Sequence, residues 1–147
     1  MSRPQLSSET VHASCVAIGG RAVLIGGPSG SGKSDLALRL LDRGFTLVSD
    51  DQTIVRREDN RLIASPPPNI AGKLEVRGLG IVDLEHVRDV PVGLFVELAS
   101  EIQRMPDDSR ERPILGVSLP LVNINAMAAS APSKVALALE RMGLEVR

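Results

Sequence analysis

The stretch Gly27-Pro28-Ser29-Gly30-Ser31-Gly32-Lys33-Ser34 decides the fold. It matches G-x-x-x-x-G-K-[ST], the pattern of a phosphate-binding loop. Glycines allow backbone N–H groups to turn inward around phosphate oxygens. Lys33 can reach the β- and γ-phosphates, and the Ser34 hydroxyl is suited to ligate Mg²⁺. The sequence therefore predicts that residues 27–34 bind a nucleotide.

The residues on either side of the loop supply the context that this motif requires. Arg21–Gly26 is apolar and predicts a buried strand. Ser34–Arg43 predicts an amphipathic helix, because Leu36 and Leu40 are four residues apart and Gly44 is a natural C-terminal cap. Such a helix directs its positive N-terminal end at bound phosphate. The alternative, a Gly/Ser turn that contains a lysine by chance, does not explain this strand–loop–helix order.

Composition limits the functional classes. The 147 residues predict a single domain, and a hydrophobic content of 43% is enough for an ordinary core. A formal net charge of −1 argues against nucleic acid or an anionic membrane as partner. Phe45 and Phe95 are the only aromatic residues, so an adenine base would have to lie against aliphatic side chains.

Cellular location follows from similar observations. Cys15 is the single cysteine, which excludes an intrachain disulfide, and its apolar surroundings predict a small buried hydrophobe. The sequence has no signal peptide and no apolar stretch long enough to span a bilayer. These features predict a cytoplasmic protein.

Further strands are predicted from short apolar runs bounded by turn residues. They are Thr10–Ile18, Phe45–Ser49, Gln52–Arg57, Arg61–Ser65, Leu74–Arg77 continuing into Gly78–Leu84, Pro91–Ala99, and Ile114–Ile124, the last broken at Pro120. Gly19-Gly20 predicts a turn, so that a β-hairpin leads into the phosphate loop. Met1–Glu9 is expected to be loose, and Gln103–Pro113, charged and with two prolines, is expected to be a surface loop.

A second helix is predicted near the C-terminus. Ser130 is a suitable N-cap, Pro132 suits the first turn, and Gly143 ends the pattern. Its apolar stripe consists of Val135, Leu139 and Met142. Two helices among many strands indicate the α/β class with a mixed sheet.

Asp50 and Asp51 are the first candidates for chemistry. They follow the strand Phe45–Ser49, and ligands of open α/β sheets bind at the carboxyl ends of strands. We therefore expect the pair to face the γ-phosphate. Successive residues of a strand point to opposite sides, so one carboxylate can ligate Mg²⁺ while the other accepts the proton of an attacking hydroxyl. The alternative is an Asp-Asp pair that only begins a turn.

The remaining candidates carry weaker signals. Strand alternation puts Glu75 and Arg77 on one face, where they could hold metal and phosphate or simply form a surface salt bridge. Taken alone, His12 is more typical of a structural residue. His86 lies in a charged run and is expected to be solvated, and Arg104 could reach a phosphate. No His/Cys spacing indicates zinc, and no Gly-x-Ser-x-Gly stretch indicates a serine hydrolase.

Three blocks of this sequence resemble the C-terminal catalytic domain of the HPr kinase/phosphorylase family. They are His12 through Ser34, Arg43–Asp51, and Leu74-Glu75-Val76-Arg77-Gly78-Leu79-Gly80-Ile81-Val82-Asp83, which is similar to the family signature. The resemblance implies an ATP- and Mg²⁺-dependent protein serine kinase that acts on HPr, the phosphocarrier of the sugar phosphotransferase system. It also implies a fold similar to the nucleotide-binding part of phosphoenolpyruvate carboxykinase and a homohexamer that binds HPr across subunits.

The resemblance assigns roles by position. It implies that Lys33 binds phosphate, that Ser34 and Glu75 hold Mg²⁺, and that Asp51, beside Asp50, is the acid/base residue. His12 matches a histidine that supports this aspartate. Two further matches are an active-site arginine at Arg104 and a loop for substrate and mechanism at Arg77, Gly78 and Gly80.

Two departures from the family leave alternatives open. Family members usually carry an N-terminal domain, whereas this chain begins just before His12, which predicts a short form like those of some Gram-negative bacteria. An arginine-rich stretch that the family uses for phosphorolysis is replaced by Leu119–Ala126, so the reverse reaction stays open. The second hypothesis is a nucleotide-sensing regulator with little turnover. A small-molecule kinase would fit the loop but not the signature Leu74–Asp83.

Overall fold

The computed structural model describes residues 7–102 and 110–145. Two α-helices in this part of the chain are α1 (Lys33–Leu41) and α2 (Ala131–Met142), and Pro68–Ile70 forms a 3₁₀ turn. The strands are β1 (Ser8–Val11), β2 (Ala13–Ile18), β3 (Arg21–Gly26), β4 (Thr46–Ser49), β5 (Thr53–Glu58), β6 (Arg61–Ser65), β7 (Lys73–Val76), β8 (Gly80–Asp83), β9 (Val90–Leu98), β10 (Glu111–Ile114) and β11 (Val117–Ile124).

Seven strands form one continuous path in the order β1-β5-β6-β9-β3-β2-β4, and β11, with β10 beside it, joins the sheet at β9. The pairs β3–β9 and β9–β11 are parallel, and the other pairs of this sheet are antiparallel. Strands β7 and β8 form a separate hairpin. The predicted α/β class with a mixed sheet is confirmed.

The sheet curls because two continuous segments of the chain each contribute one strand to one end of the sheet and one strand to the other end. Residues 8–18 form β1 and β2, which pair with β5 and β4 respectively. Residues 46–58 form β4 and β5, so these two long segments run antiparallel to one another and cross the molecule together. Each segment is interrupted at the same level, at His12 and at residues 50–52.

The predicted N-terminal boundaries are wrong in this region. Thr10–Ile18 is not one strand, because the chain changes pairing partners at His12. Ser8 and Glu9 are not loose, since they pair with Arg56 and Val55 of β5. Residues 1–6 lie outside the described part of the chain.

Two apolar layers cover the faces of the sheet. Alternation along β3 directs Val23 and Ile25 toward the helices and Leu24 toward the opposite layer. The helix layer includes Leu36 and Leu40 from α1 and Val135 and Leu139 from α2. The opposite layer includes Cys15, Leu24, Val55, Leu62 and Phe95. Cys15 is buried as predicted, and burial raises the pKa of its thiol.

The helices end much as predicted. Gly44 adopts φ 95° after α1, and its N–H donates to the Leu41 carbonyl. Ser130 occupies the N-cap position of α2 without a capping hydrogen bond from its side chain. Gly143 ends α2 in an extended conformation, and a Cβ there would lie 2.4 Å from the Leu139 carbonyl oxygen. Within the described residues, no helix has the length and apolar character needed to cross a membrane.

The two proline predictions near the C-terminus are wrong. Pro113 lies in β10 rather than in a loop, and β10 pairs only with β11 among the described strands, so the missing proline N–H is tolerated at this edge. Pro120 does not break β11; it lies where β11 exchanges β10 for β9 as partner. The turn is at Leu115 and Gly116, both with positive φ as in a two-residue hairpin. Residues 103–109 are not described.

A tight contact between Gly26 and Phe95 yields a stability prediction. A Cβ on Gly26 would lie 2.7 Å from Cζ of the buried Phe95 ring. We expect Gly26→Ala to lower the free energy of unfolding by about 1–3 kcal/mol through overpacking. In a Phe95→Leu background the cost should fall, because the obstructing ring atoms are gone. Urea denaturation of the four proteins measures this coupling, and an equal cost in both backgrounds would contradict it.

Candidate functional site

The phosphate loop connects the buried strand β3 to the N-terminus of α1. Gly32 is the N-cap of α1 and adopts φ 103°, a conformation that glycine reaches without strain. The Ser31 N–H donates to the Pro28 carbonyl at 3.0 Å, which closes the loop. Lys33 is buried, and its Nζ donates to the carbonyls of Gly27 at 2.9 Å and Pro28 at 3.1 Å. The predicted strand–loop–helix arrangement is confirmed.

The loop contains polar groups suited to an anion. The Ser31 hydroxyl is buried and has no hydrogen-bond partner in the part of the chain that the structure describes. Gly27 provides room beside it, since a Cβ there would lie 2.7 Å from Ser31 Oγ. Together with the Lys33 ammonium and the N-terminus of α1, these groups fit a phosphate chain.

Asp50 lies at the end of β4, next to the start of α1. Its carboxylate is buried, and its Oδ1 accepts hydrogen bonds from Ser34 Oγ at 2.6 Å and from Ser14 Oγ at 2.9 Å. Its Oδ2 accepts from the backbone N–H of Glu75 at 3.1 Å. Asp50 therefore lies beside the loop serine, as the position after a strand end predicts. Hard oxygen atoms such as those of Asp50 and Ser34 suit Mg²⁺.

Asp51 follows in a strained turn. The Gln52 N–H donates to the Asp50 carbonyl at 2.7 Å, so Asp51 is the centre of a γ-turn, and its φ of 66° makes this the rarer form. Its side chain is 60% exposed and meets Nε2 of His12 at 2.9 Å. The two carboxylates differ in burial and in hydrogen-bond partners, and a turn rather than the pleat of a strand separates them.

The hairpin β7–β8 carries the signature residues. Leu74 is fully buried and anchors it, and the Glu75 N–H joins it to Asp50. Glu75 and Arg77 do not share a strand face as expected, because β7 ends at Val76 and Arg77 lies in the turn. The turn residues from Arg77 to Gly80 are exposed, and positive φ at Gly78 and Gly80 allows the tight reversal.

Two predicted residues and one unpredicted residue remain to be placed. His86 is exposed as predicted, and its ring lies against Gly72. Arg104 lies outside the described residues. Ser14 was not predicted to contact the aspartates, although a hydroxyl in the apolar strand β2 was a signal for it. No group of three His, Cys, Asp or Glu side chains in residues 7–102 and 110–145 forms a complete metal site.

These features define a class. A glycine-rich loop between a buried strand and a helix, with a carboxylate from the end of the next strand along the chain bonded to the loop serine, is a phosphate-loop domain, here built on a curled mixed sheet. A family model described as "HPr Serine kinase C-terminal domain" matches residues 5–142. The chain belongs to this family.

Individual relatives agree with this assignment. The chain is 39% identical to the HPr kinase/phosphorylase of Chlorobium limicola, over 77% of this chain and 38% of that protein. It is 36% identical to that of Ralstonia nicotianae, over 87% of this chain and 43% of that protein. The solved HPr(Ser) kinase/phosphatase of Coxiella burnetii superimposes with a TM-score of 0.77 at 31% identity, covering 90% of this chain and 94% of that one.

The comparisons confirm the resemblance to the family and the fold class. The chain spans about two-fifths of the length of the curated relatives described above. The likeness to phosphoenolpyruvate carboxykinase and the role of each site residue stay predictions.

The different environments of the two aspartates yield a stability prediction. In Asp50→Asn, an amide replaces a buried carboxylate that accepts from three donors, so we expect a loss of about 1–3 kcal/mol in the free energy of unfolding. Asp51→Asn should cost less than about 1 kcal/mol, because the side chain is exposed and Asn tolerates positive φ. Chemical denaturation measures both variants. Equal losses would show that the buried hydrogen bonds of Asp50 contribute no extra stability.

Proposed function

We propose that this chain is an ATP- and Mg²⁺-dependent protein serine kinase that phosphorylates an HPr-like phosphocarrier. One observation carries the proposal: Asp50 bonds the loop serine Ser34 at 2.6 Å, and the adjacent residue, Asp51, meets His12 at 2.9 Å. A nucleotide-sensing regulator would need the loop but not a half-exposed carboxylate oriented by a histidine. The kinase is therefore the favoured hypothesis.

The phosphate loop would hold the triphosphate. Backbone N–H groups within residues 29–34 and the Lys33 ammonium would donate hydrogen bonds to the phosphate oxygens, and the N-terminus of α1 would add a favourable field. Ser34, Glu75 and Asp50 are the oxygen donors that would hold Mg²⁺. When bound, Mg²⁺ would neutralise charge on the β- and γ-phosphates during transfer.

Asp51 would act on the protein substrate. As the serine Oγ attacks the γ-phosphorus, its proton passes to the Asp51 carboxylate, the bond from phosphorus to the β–γ bridging oxygen breaks, and ADP leaves. His12 would orient the carboxylate through the 2.9 Å contact. Both side chains are at least half exposed, so a folded partner protein can bring its serine to them.

Other parts of the chain would recognise the partner. The exposed turn with Arg77, Gly78 and Gly80 extends from the hairpin whose backbone is bonded to Asp50. We assign this turn to contact with the phosphocarrier, and we assign Arg104 to the same active centre. The family resemblance further supports a homohexamer with the phosphocarrier bound across subunits.

The test is phosphate transfer from γ-labelled ATP to HPr. We expect label on HPr in the presence of Mg²⁺ and none on HPr that lacks its regulatory serine hydroxyl. Excess inorganic phosphate added to the labelled product then tests the reverse reaction. ATP binding without any transfer would exclude the kinase proposal for HPr and support the nucleotide-sensing regulator.

Asp51→Asn tests the mechanism. We expect transfer to fall about 10²–10⁴-fold because the proton acceptor is lost, while ATP affinity changes by less than about threefold, since Asp51 bonds His12 and Ser14, which lie outside the phosphate loop. Asp59→Asn is the matched control, because Asp59 is also exposed and has φ 56°, but lies in the β5–β6 turn. The control should keep full activity. Undiminished transfer by Asp51→Asn would refute the acid/base assignment.

A further inference from the structure

Ser14 contacts both aspartates of the site. It is fully buried on β2, a strand whose other members are apolar. Its hydroxyl donates to Asp50 Oδ1 at 2.9 Å and accepts from the Asp51 N–H at 3.0 Å. One hydroxyl therefore uses its donor on the side chain of the first aspartate and its acceptor on the backbone of the second.

The sheet register explains this placement. Strands β2 and β4 are antiparallel, with Cys15 opposite Ser49, so the next position along brings Ser14 opposite Asp50. The backbone of β4 leaves the ladder at this point to form the turn at Asp51. At the place where regular strand pairing ends, the Ser14 hydroxyl accepts the hydrogen bond of the Asp51 N–H.

The turn at Asp51 requires such support. A backbone held in a sparsely populated region costs about 1–3 kcal/mol and persists only where its surroundings fix it. Asp51 has φ 66° at the centre of a γ-turn, and Ser14 holds its N–H. The same hydroxyl bonds the oxygen of Asp50 that accepts from Ser34, so it links the turn to the start of α1.

We propose that Ser14 is a positioning residue for phosphoryl transfer. This inference rests on the proposed function. Ser14 fixes the backbone that directs the Asp51 carboxylate to the acceptor hydroxyl, and it holds Asp50 Oδ1 at the loop serine. Because it is fully buried, it acts through the two aspartates and not on either substrate. Its loss therefore affects the rate of transfer more than the affinity for nucleotide.

The chain offers a matched control in Thr53. Thr53 is also fully buried, and its hydroxyl donates to the carbonyl of Ala13, the neighbour of Ser14, at 2.8 Å. Ser14→Ala and Thr53→Val each remove a buried hydroxyl from the same region, but only the first removes contacts to the aspartates. Thermal unfolding of both variants shows whether their stability losses are comparable.

Steady-state kinetics with HPr gives the decisive readout. We expect Ser14→Ala to lower kcat about tenfold or more with KM for ATP changed less than about threefold, and Thr53→Val to keep kcat within about twofold. In an Asp51→Asn background, Ser14→Ala should lower kcat much less, because it acts partly through that residue. Equal kcat losses for Ser14→Ala and Thr53→Val would overturn the inference.

Two further measurements keep the outcomes separate. If Ser14→Ala does not fold, Ser14→Cys replaces it, because cysteine is similar in size and has a weaker hydrogen-bonding group. We expect Ser14→Cys to lower kcat, but by less than about tenfold. An unchanged kcat overturns the inference. If the wild-type chain transfers no phosphate, the proposed function fails. The inference is then decided by ATP binding titrated with Mg²⁺: a higher half-saturating Mg²⁺ concentration for Ser14→Ala than for Thr53→Val supports positioning of Asp50, and equal values overturn it.

Discussion

The buried carboxylate of Asp50 joins four segments that are far apart in the sequence. It belongs to the end of β4 and accepts hydrogen bonds from β2 through Ser14, from α1 through Ser34, and from β7 through the Glu75 N–H. A buried charge is tolerated only when it is well bonded, so each of these segments must reach its position for the carboxylate to remain there. The distance between the loop serine and the strand end is set by this residue.

The parts of the fold that local chemistry determines could be predicted. The glycine pattern and Lys33 identify the loop, and the spacing of Leu36 and Leu40 identifies α1. The strands β5 and β6 follow from two short runs on either side of Asp59. The nearness of Asp50 to Ser34 followed from a general rule for strand ends in α/β sheets. Each of these inferences needs only neighbouring residues or a rule of topology.

The parts that depend on distant pairing could not be predicted. The interruption at His12 arises because β1 pairs with β5 while β2 pairs with β4, and no residue near His12 encodes that exchange. Pro120 is accommodated because β11 changes partner there. The contact of Ser14 with both aspartates depends on the same long-range register. Glu75 and Arg77 do not alternate along one strand for a local reason: β7 ends at Val76, and the positive-φ glycines that follow form a turn.

The order of the strands also has a kinetic consequence. Val11 lies opposite Thr53, Ala22 opposite Val92, and Phe95 opposite Leu121, so the sheet is built from pairings between residues far apart in the chain. Such a high contact order is typical of domains that fold slowly, because the entropy of closing long loops is lost before the pairings form. During synthesis the phosphate loop leaves the ribosome well before β9, the parallel neighbour of β3, exists. The binding loop is thus made early, but the sheet that holds it is completed only after β9 and β11 have been synthesised.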